Sequence, residues 1–253
     1  MRLRVLVIAL AACGSLALPA TAQDFQAGGK TTAAINATTV SNAELAAMDR
    51  FQEAYPGTLT YREGSLLSRL YGRTFEMGDT PNQAAERFLS ANADLFGADA
   101  ADLLPTTRIL ERGNTLPLMY EPETGTYKFT LIYHSQYRDG IPVFRADVRL
   151  LVKNETGYPL VWVGSGLRQL GDFQPNAALR SVVDPTAVAP GMTSFTAMEP
   201  VIWAGIEDES VAPVQAVTFE ASNDGSGESA PHRWMYVVGE ATGEVLYSEN
   251  LII

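Results

Sequence analysis

The run from Tyr133 to Lys153, YHSQYRDGIPVFRADVRLLVK, constrains the fold more than any other part of the chain. Apolar residues alternate through Phe129, Leu131 and Tyr133 before it turns, and through Val148, Leu150 and Val152 after. A period of two is the mark of a strand with one face in a core. Between the arms stands Arg138-Asp139-Gly140, where glycine takes a positive φ without steric penalty. Pro142 has no N–H to give a ladder, so it is expected at the start of the return strand, at an edge or a non-bonded position. The segment therefore reads as a long antiparallel hairpin.

The same reading extends along the chain. Ser41-Asn42-Ala43-Glu44 has the spacing of a capping box and opens a short helix through Ala54, which Pro56 stops. Leu59 to Tyr71 alternates as a hairpin around Glu63-Gly64. Thr80-Pro81-Asn82-Gln83 supplies a hydroxyl N-cap, a proline at N1 and a Gln able to accept from the cap's N–H. Ala84, Ala85, Phe88, Leu89, Leu95 and Phe96 form its apolar face, and Gly97 closes it. From Thr106 to Leu167 the pattern is strand and turn, with Pro122-Glu123-Thr124-Gly125 and Asn154-Glu155-Thr156-Gly157 as turns. Periodicity fails from Arg168 to Ser181. Beyond it come a short helix at Asp184-Pro185, a strand over Ala212–Glu220, a flexible loop at 222–228 and a final hairpin from Arg233 to Asn250. The fold class expected is α+β, antiparallel β-hairpins and sheet packed with a few helices in two small modules.

The first residues read as an export signal. Arg2 and Arg4 precede an apolar stretch, and Ala20-Thr21-Ala22 places a cleavage site between Ala22 and Gln23. Leu10-Ala11-Ala12-Cys13 offers a competing reading, a lipoprotein box in which Cys13 carries the lipid. Cleavage after Ala22 moves the net charge from −11 to −13, because both charges removed are basic. Nucleic acid and anionic lipid are then repelled. Cys13 is the only cysteine, so the chain expected after cleavage has no disulfide despite a secreted or periplasmic location. A chain of this size can bury about 70% of its unfolded surface, enough for one or two cores without such staples.

Chemistry is scarce. A zinc peptidase places two imidazoles one helical turn apart with a glutamate to activate water; here His134 and His232 are 98 positions apart. His134 sits among alternating strand residues and reads as a polar or half-buried strand position. His232, beside Pro231 and the flexible loop, reads the same way. Gly164-Ser165-Gly166 lacks the spacing of a nucleophile elbow and reads as a strand end. Glu207, Asp208 and Glu209 read as a solvated acidic turn, and Asn223, Asp224 and Glu228 do not have the spacing of an EF-hand loop. No phosphate-binding glycine motif is present in the sequence. No cofactor is expected, and the chain is expected not to be an enzyme. Tyr133, Tyr137, Phe144, Trp162, Trp203 and Trp234 are read as core before ligand platform.

Gln136, Tyr137, Gly140, Ile141, Pro142, Val143 and Phe144, followed by Ala146 and Asp147, resemble the fungalysin/thermolysin propeptide domain found in pro-regions of secreted zinc metallopeptidases. The closing WMYVVGEATGEVLYSENLI is similar to the last hairpin of a PepSY domain, which follows that first module in such precursors. The resemblance implies residues 57–168 as a propeptide-like domain and 182–253 as a PepSY-like one, after a signal at 1–22 and a leader with a short helix at 23–56. It further implies a non-catalytic inhibitor and folding chaperone of a thermolysin-like metallopeptidase, acting in cis or trans. The motif residues are then structural or partner-contacting. The apolar ending Leu251-Ile252-Ile253 is compatible with a precursor fragment whose peptidase begins further on. The alternative is a secreted or lipid-anchored binding protein that reuses the fold.

Overall fold

The computed structural model describes residues 40–106, 113–206, 211–223, 225 and 232–252. The export signal with Cys13, Ala22 and Gln23, the leader up to residue 39, the acidic turn 207–209 and most of the 222–228 loop lie outside the described residues.

Helix α1 spans Asn42–Ala54, with the Ser41 hydroxyl accepting from Glu44 N at 3.1 Å and the Glu44 carboxylate accepting from Ser41 N at 2.8 Å. Two of the N–H groups that a helix start leaves over are thereby satisfied. Strands β1 (Leu59–Glu63) and β2 (Leu66–Glu76) form the first hairpin. Helix α2 (Pro81–Asn92) follows, capped by Thr80, whose hydroxyl accepts from Gln83 N. The Gln83 side chain accepts from Asp79 N, one residue before the position expected for it. The α-helix ends at Asn92. Leu95 and Phe96 reach the core from a 3₁₀ turn, Ala93–Phe96, that Gly97 closes at φ 66.

After a second 3₁₀ turn at Ala100–Asp102 come β3 (Leu103–Pro105), β4 (Thr115–Glu121), β5 (Thr126–Arg138), β6 (Ile141–Lys153) and β7 (Leu160–Ser165). The remainder is a one-turn helix α3 (Pro185–Val188), β8 (Ser194–Phe195), β9 (Glu199–Trp203), β10 (Val214–Asn223), β11 (His232–Gly239) and β12 (Val245–Asn250). The path β1-β2-β7-β6-β9-β10-β11-β12 makes one open mixed sheet. Strand β5 pairs with β6, β4 and β3 pair with β5, and β8 pairs with β10. Every pairing is antiparallel except β6 with β9. The architecture is thus mostly sheet with few helices, in broad agreement with an α+β class.

Both long helices pack on one face of the β1-to-β7 half. Phe51, Phe75 and Phe88 meet there at ring separations of 5.8 to 6.2 Å, over Leu70, Val163, Leu150 and Ile132. Each such side chain contributes roughly 1.5–3 kcal/mol by leaving water.

The hairpin from β5 to β6 corrects the phase read from sequence. Val148, Leu150 and Val152 do face the core, but their cross-strand partners are His134, Ile132 and Thr130. Phe129, Leu131 and Tyr133 oppose Lys153, Leu151 and Arg149 on the other face. A strand has one-residue phase ambiguity when both faces carry apolar groups, and only its partner settles it. The turn itself is as expected: Asp139 at φ 51 and Gly140 at φ 79 give the two-residue primed turn that matches strand twist.

Near this turn the ladder opens. Tyr137 pairs with Pro142 and Ser135 with Asp147, so Gln136 alone faces the four residues Val143–Ala146. Arg145 takes φ 51 inside this bulge. The detour brings Val143 into parallel register with Ile202 of β9, joining the two halves of the sheet. Strand β9, which the reading of the sequence did not include, carries Pro200. Pro200 stands opposite Val217 of β10, and on its other side β9 is registered with β6 at Ile202.

Candidate functional site

The GIPVF residues are brought together at this junction: Val143 and Phe144 are buried, Ile141 and Pro142 half-buried, and Gly140 exposed in the turn. Val143 packs with Ala146, Leu170, Ile202 and Ala204. Phe144 sits 5.7 Å from both Trp203 and Tyr247. Ile141 joins the Val143 group, while Tyr137 and Pro142 pair beside the turn that Gly140 allows. Asp147 accepts from Arg149 Nε at 2.7 Å.

Gln136 is 1% exposed, and its amide closes a two-bond ring with the Arg168 backbone. Nε2 donates to Arg168 O and Oε1 accepts from Arg168 N, both at 2.8 Å. Two residues on, Arg138 binds Asp102 at 3.0 Å and donates to the carbonyls of Gly171 and Phe173. Glutamine and arginine on one strand thereby fasten the aperiodic segment after Leu167. Sequence showed both residues but not their partners, which are 32 to 36 positions away.

The face of the sheet opposite the helices carries a different pattern. Register places Leu59, Tyr71, Trp162, Leu151, Leu131 and Leu116 side by side across β1, β2, β7, β6, β5 and β4. Leu59 is 53% and Tyr71 40% exposed, and the other four are half-buried. One pleat along, the row reads Tyr61, Arg69, Gly164, Arg149, Tyr133. Arg69 lies over the Tyr61 ring at 5.0 Å and Arg149 over Tyr133 at 5.9 Å. Trp162 fills the gap between them: a Cβ at Gly164 would stand 2.2 Å from the indole Cη2. Glycine is what lets the ring lie down on the strand there. Trp, Tyr and Arg are the residues enriched at the energetic centres of protein interfaces, and contiguous exposed apolar patches are uncommon on monomers.

A groove of about 370 Å³ runs beside these rows, lined by Glu63, Arg69, Arg145, Asp147, Arg149 and Trp162 among others. Arg69 faces Glu63 at 3.5 Å, Arg149 faces Asp147 at 2.7 Å, and Arg145 pairs with Glu249. Such exposed pairs contribute about 0.2–1 kcal/mol each. Arg145 also covers the rings of Phe144 and Tyr247 at 5.4 and 5.6 Å. A separate depression of about 440 Å³, apolar in lining, lies near the last turn between Phe173, Leu179, Trp203, Val211 and Leu246.

The histidines are on β5 and β11, which are not paired. His134 is 3% exposed rather than half-buried, its Nδ1 has no hydrogen-bond partner, and desolvation lowers its pKa to about 4. His232 is exposed at the start of its strand. Ser165 ends β7, its hydroxyl accepting from Leu167 N. Among the described residues no three His, Cys, Asp or Glu gather as metal ligands, and no helix is long and apolar enough to cross a membrane. Asn223 is described, its side chain accepting from His232 N, whereas Asp224 and Glu228 are outside the described residues.

No family model matches the chain. No curated protein matches it either. Among solved structures, the Bacillus megaterium YpeB C-terminal domain is similar with a TM-score of 0.33 and 8% identity, over 85% of this chain and 100% of that one. A likeness of that size fixes neither fold nor function, so the resemblance to metallopeptidase pro-regions rests on the hairpin residues quoted above.

Proposed function

We propose that the chain is a non-catalytic protein-binding module, with its sheet face as the docking surface. The observation that supports this most is the row Leu59, Tyr71, Trp162, Leu151, Leu131, Leu116, laid across six strands on the face without helices. A partner that covers such a face gains about 25 cal/mol for each Å² of apolar surface removed from water. The stiffness of a sheet lowers the entropy lost on binding.

The partner follows from the resemblance of residues 136–147 to metallopeptidase pro-regions. In this reading residues 57–168 are the propeptide-like module and 182–253 the PepSY-like module of a secreted or periplasmic protein. The pair inhibits a thermolysin-like metallopeptidase and assists its folding, in cis or in trans, because a module that binds only the native peptidase stabilises it by mass action. The test is a time course of peptide hydrolysis by a thermolysin-like metallopeptidase with the chain added. Saturable inhibition that fades as the chain is digested is the expected result. Undiminished hydrolysis at every concentration would remove this partner.

One observation favours a second reading. The apolar depression at Trp203 and Leu246 has the size of a small-ligand site, as a secreted or Cys13-anchored binding protein would need. Lipid-sized mass at Cys13 in the exported protein would support the anchored form, and an N-terminus at Gln23 would eliminate it.

A further inference from the structure

The groove beside the docking face has its own recognition chemistry. Its three arginines are not equally engaged. Arg145 uses both terminal nitrogens, on Tyr247 Oη and Glu249. Arg149 gives Asp147 only Nε, so its two Nη groups remain as a fork toward the groove. Arg69 meets Glu63 at 3.5 Å through a single Nη, a long contact between half-exposed side chains. A planar guanidinium with its terminal nitrogens unspent is the geometry that takes a carboxylate by two parallel hydrogen bonds. The two cations flank Gly164 from opposite strands, with the Trp162 indole lying between them. Asp147 and the Tyr133 ring hold Arg149 in place, and the Tyr61 ring holds Arg69. Such pre-positioning reduces the ordering cost of binding.

The setting selects the occupant. Glu63 and Asp147 balance the charge of Arg69 and Arg149, so what the groove offers an anionic group is the donor geometry of the two guanidinium forks rather than net positive charge. A bare inorganic anion would leave Trp162 and the neighbouring Tyr71 in water. An extended peptide covers both, since its side chains alternate at the same spacing as the rows of the sheet. We propose that this groove reads an aspartate or glutamate carboxylate on an extended acidic peptide, through Arg69 and Arg149, while an adjacent apolar side chain rests on Trp162 and Tyr71. This rests on the protein-docking reading of the face but does not depend on which protein docks.

The experiment uses the full exported chain and a dye-labelled Leu-Glu-Leu-Asp-Leu peptide, with Leu-Gln-Leu-Asn-Leu as its neutral counterpart, in fluorescence anisotropy. The acidic peptide is expected to bind about tenfold or more tightly than the neutral one, with affinity falling as salt rises from about 20 to 300 mM. Arg69→Gln/Arg149→Gln should abolish the preference. Arg149→Lys keeps the charge near Asp147 but lacks the fork, and should lose most of it while its melting curve stays that of the parent. Equal binding of the two peptides, binding of neither, or an unchanged preference in Arg149→Lys overturns the proposal. Inhibition of a metallopeptidase is not read in this assay, so a peptide that binds while hydrolysis is untouched would separate the two claims. Free phosphate competing as well as the acidic peptide would also count against it, as a site for small anions.

Discussion

Gln136 fastens the start of the aperiodic segment after β7 to β5 through two bonds to the Arg168 backbone. Replacing it with leucine keeps the volume near the original and removes both bonds to the Arg168 backbone. Each buried backbone group that loses its partner costs about 1–3 kcal/mol, and added apolar burial offsets about 1–2 kcal/mol of the total. The expected net loss is about 1–4 kcal/mol. For a chain of this size that corresponds to a fall in melting temperature of roughly 2–16 °C. Urea unfolding followed by tryptophan fluorescence measures it, with the midpoint expected to fall and the slope unchanged. Gln136→Glu makes a sharper variant. It keeps an acceptor for Arg168 N but sets a carboxylate against Arg168 O, which raises the carboxyl pKa in the folded state. The charged form is then the disfavoured one, so this variant should recover stability as pH falls and the carboxyl becomes a donor again. A loss under about 0.5 kcal/mol for Gln136→Leu would refute the reasoning. It would mean that the segment after Leu167 is held by Arg138 and apolar packing alone.

Three further outcomes follow from single residues. Burial lowers the His134 pKa to about 4 against an ordinary 6.5, so the unfolded state binds the proton first and stability is lost as pH falls from about 6.5 to about 4. The loss approaches roughly 3 kcal/mol at about 1.4 kcal/mol per pKa unit, and His134→Leu should flatten that part of the stability-versus-pH curve relative to the parent. Gly164→Ala should displace the Trp162 indole, destabilise by about 1–3 kcal/mol as overpacking does, and shift the tryptophan emission. Arg138→Ala removes the pair with Asp102 and the bonds to Gly171 and Phe173. It should cost about 2–3 kcal/mol and speed proteolysis in the segment after Leu167, which limited digestion would reveal.

Local chemistry was legible in the sequence. The Ser41 and Thr80 caps, the Asp139-Gly140 turn and the closing hairpin all follow from residues within a few positions of each other. What was not legible depends on partners distant in the chain. The phase of β5 could not be chosen while Phe129, Leu131 and Tyr133 competed with Ile132 and its neighbours for one core, and pairing with Leu150 decided it. Strand β9, with Pro200 within it, was not read from the sequence. The apolar row on the helix-free face needed the register of six strands, since nothing in sequence places Leu59 in line with Leu116. The motif residues from Gln136 to Phe144 were visible early, and the buried ones among them, Gln136, Val143 and Phe144, serve the junction between the two parts of the sheet.

The central claim is that the helix-free face of the sheet docks a protein, and binding to a catalytically inactive thermolysin-like metallopeptidase tests it most directly. The parent chain is compared with Leu59→Lys/Tyr71→Lys, two exposed positions where charge should leave the fold intact. The account predicts measurable binding by the parent and a rise in Kd of about 30-fold or more in the variant, the scale of a lost interface anchor worth about 2 kcal/mol. Binding that is equal for both chains would contradict the account, because the partner would then be reading another surface; no binding by the parent would remove the metallopeptidase from it.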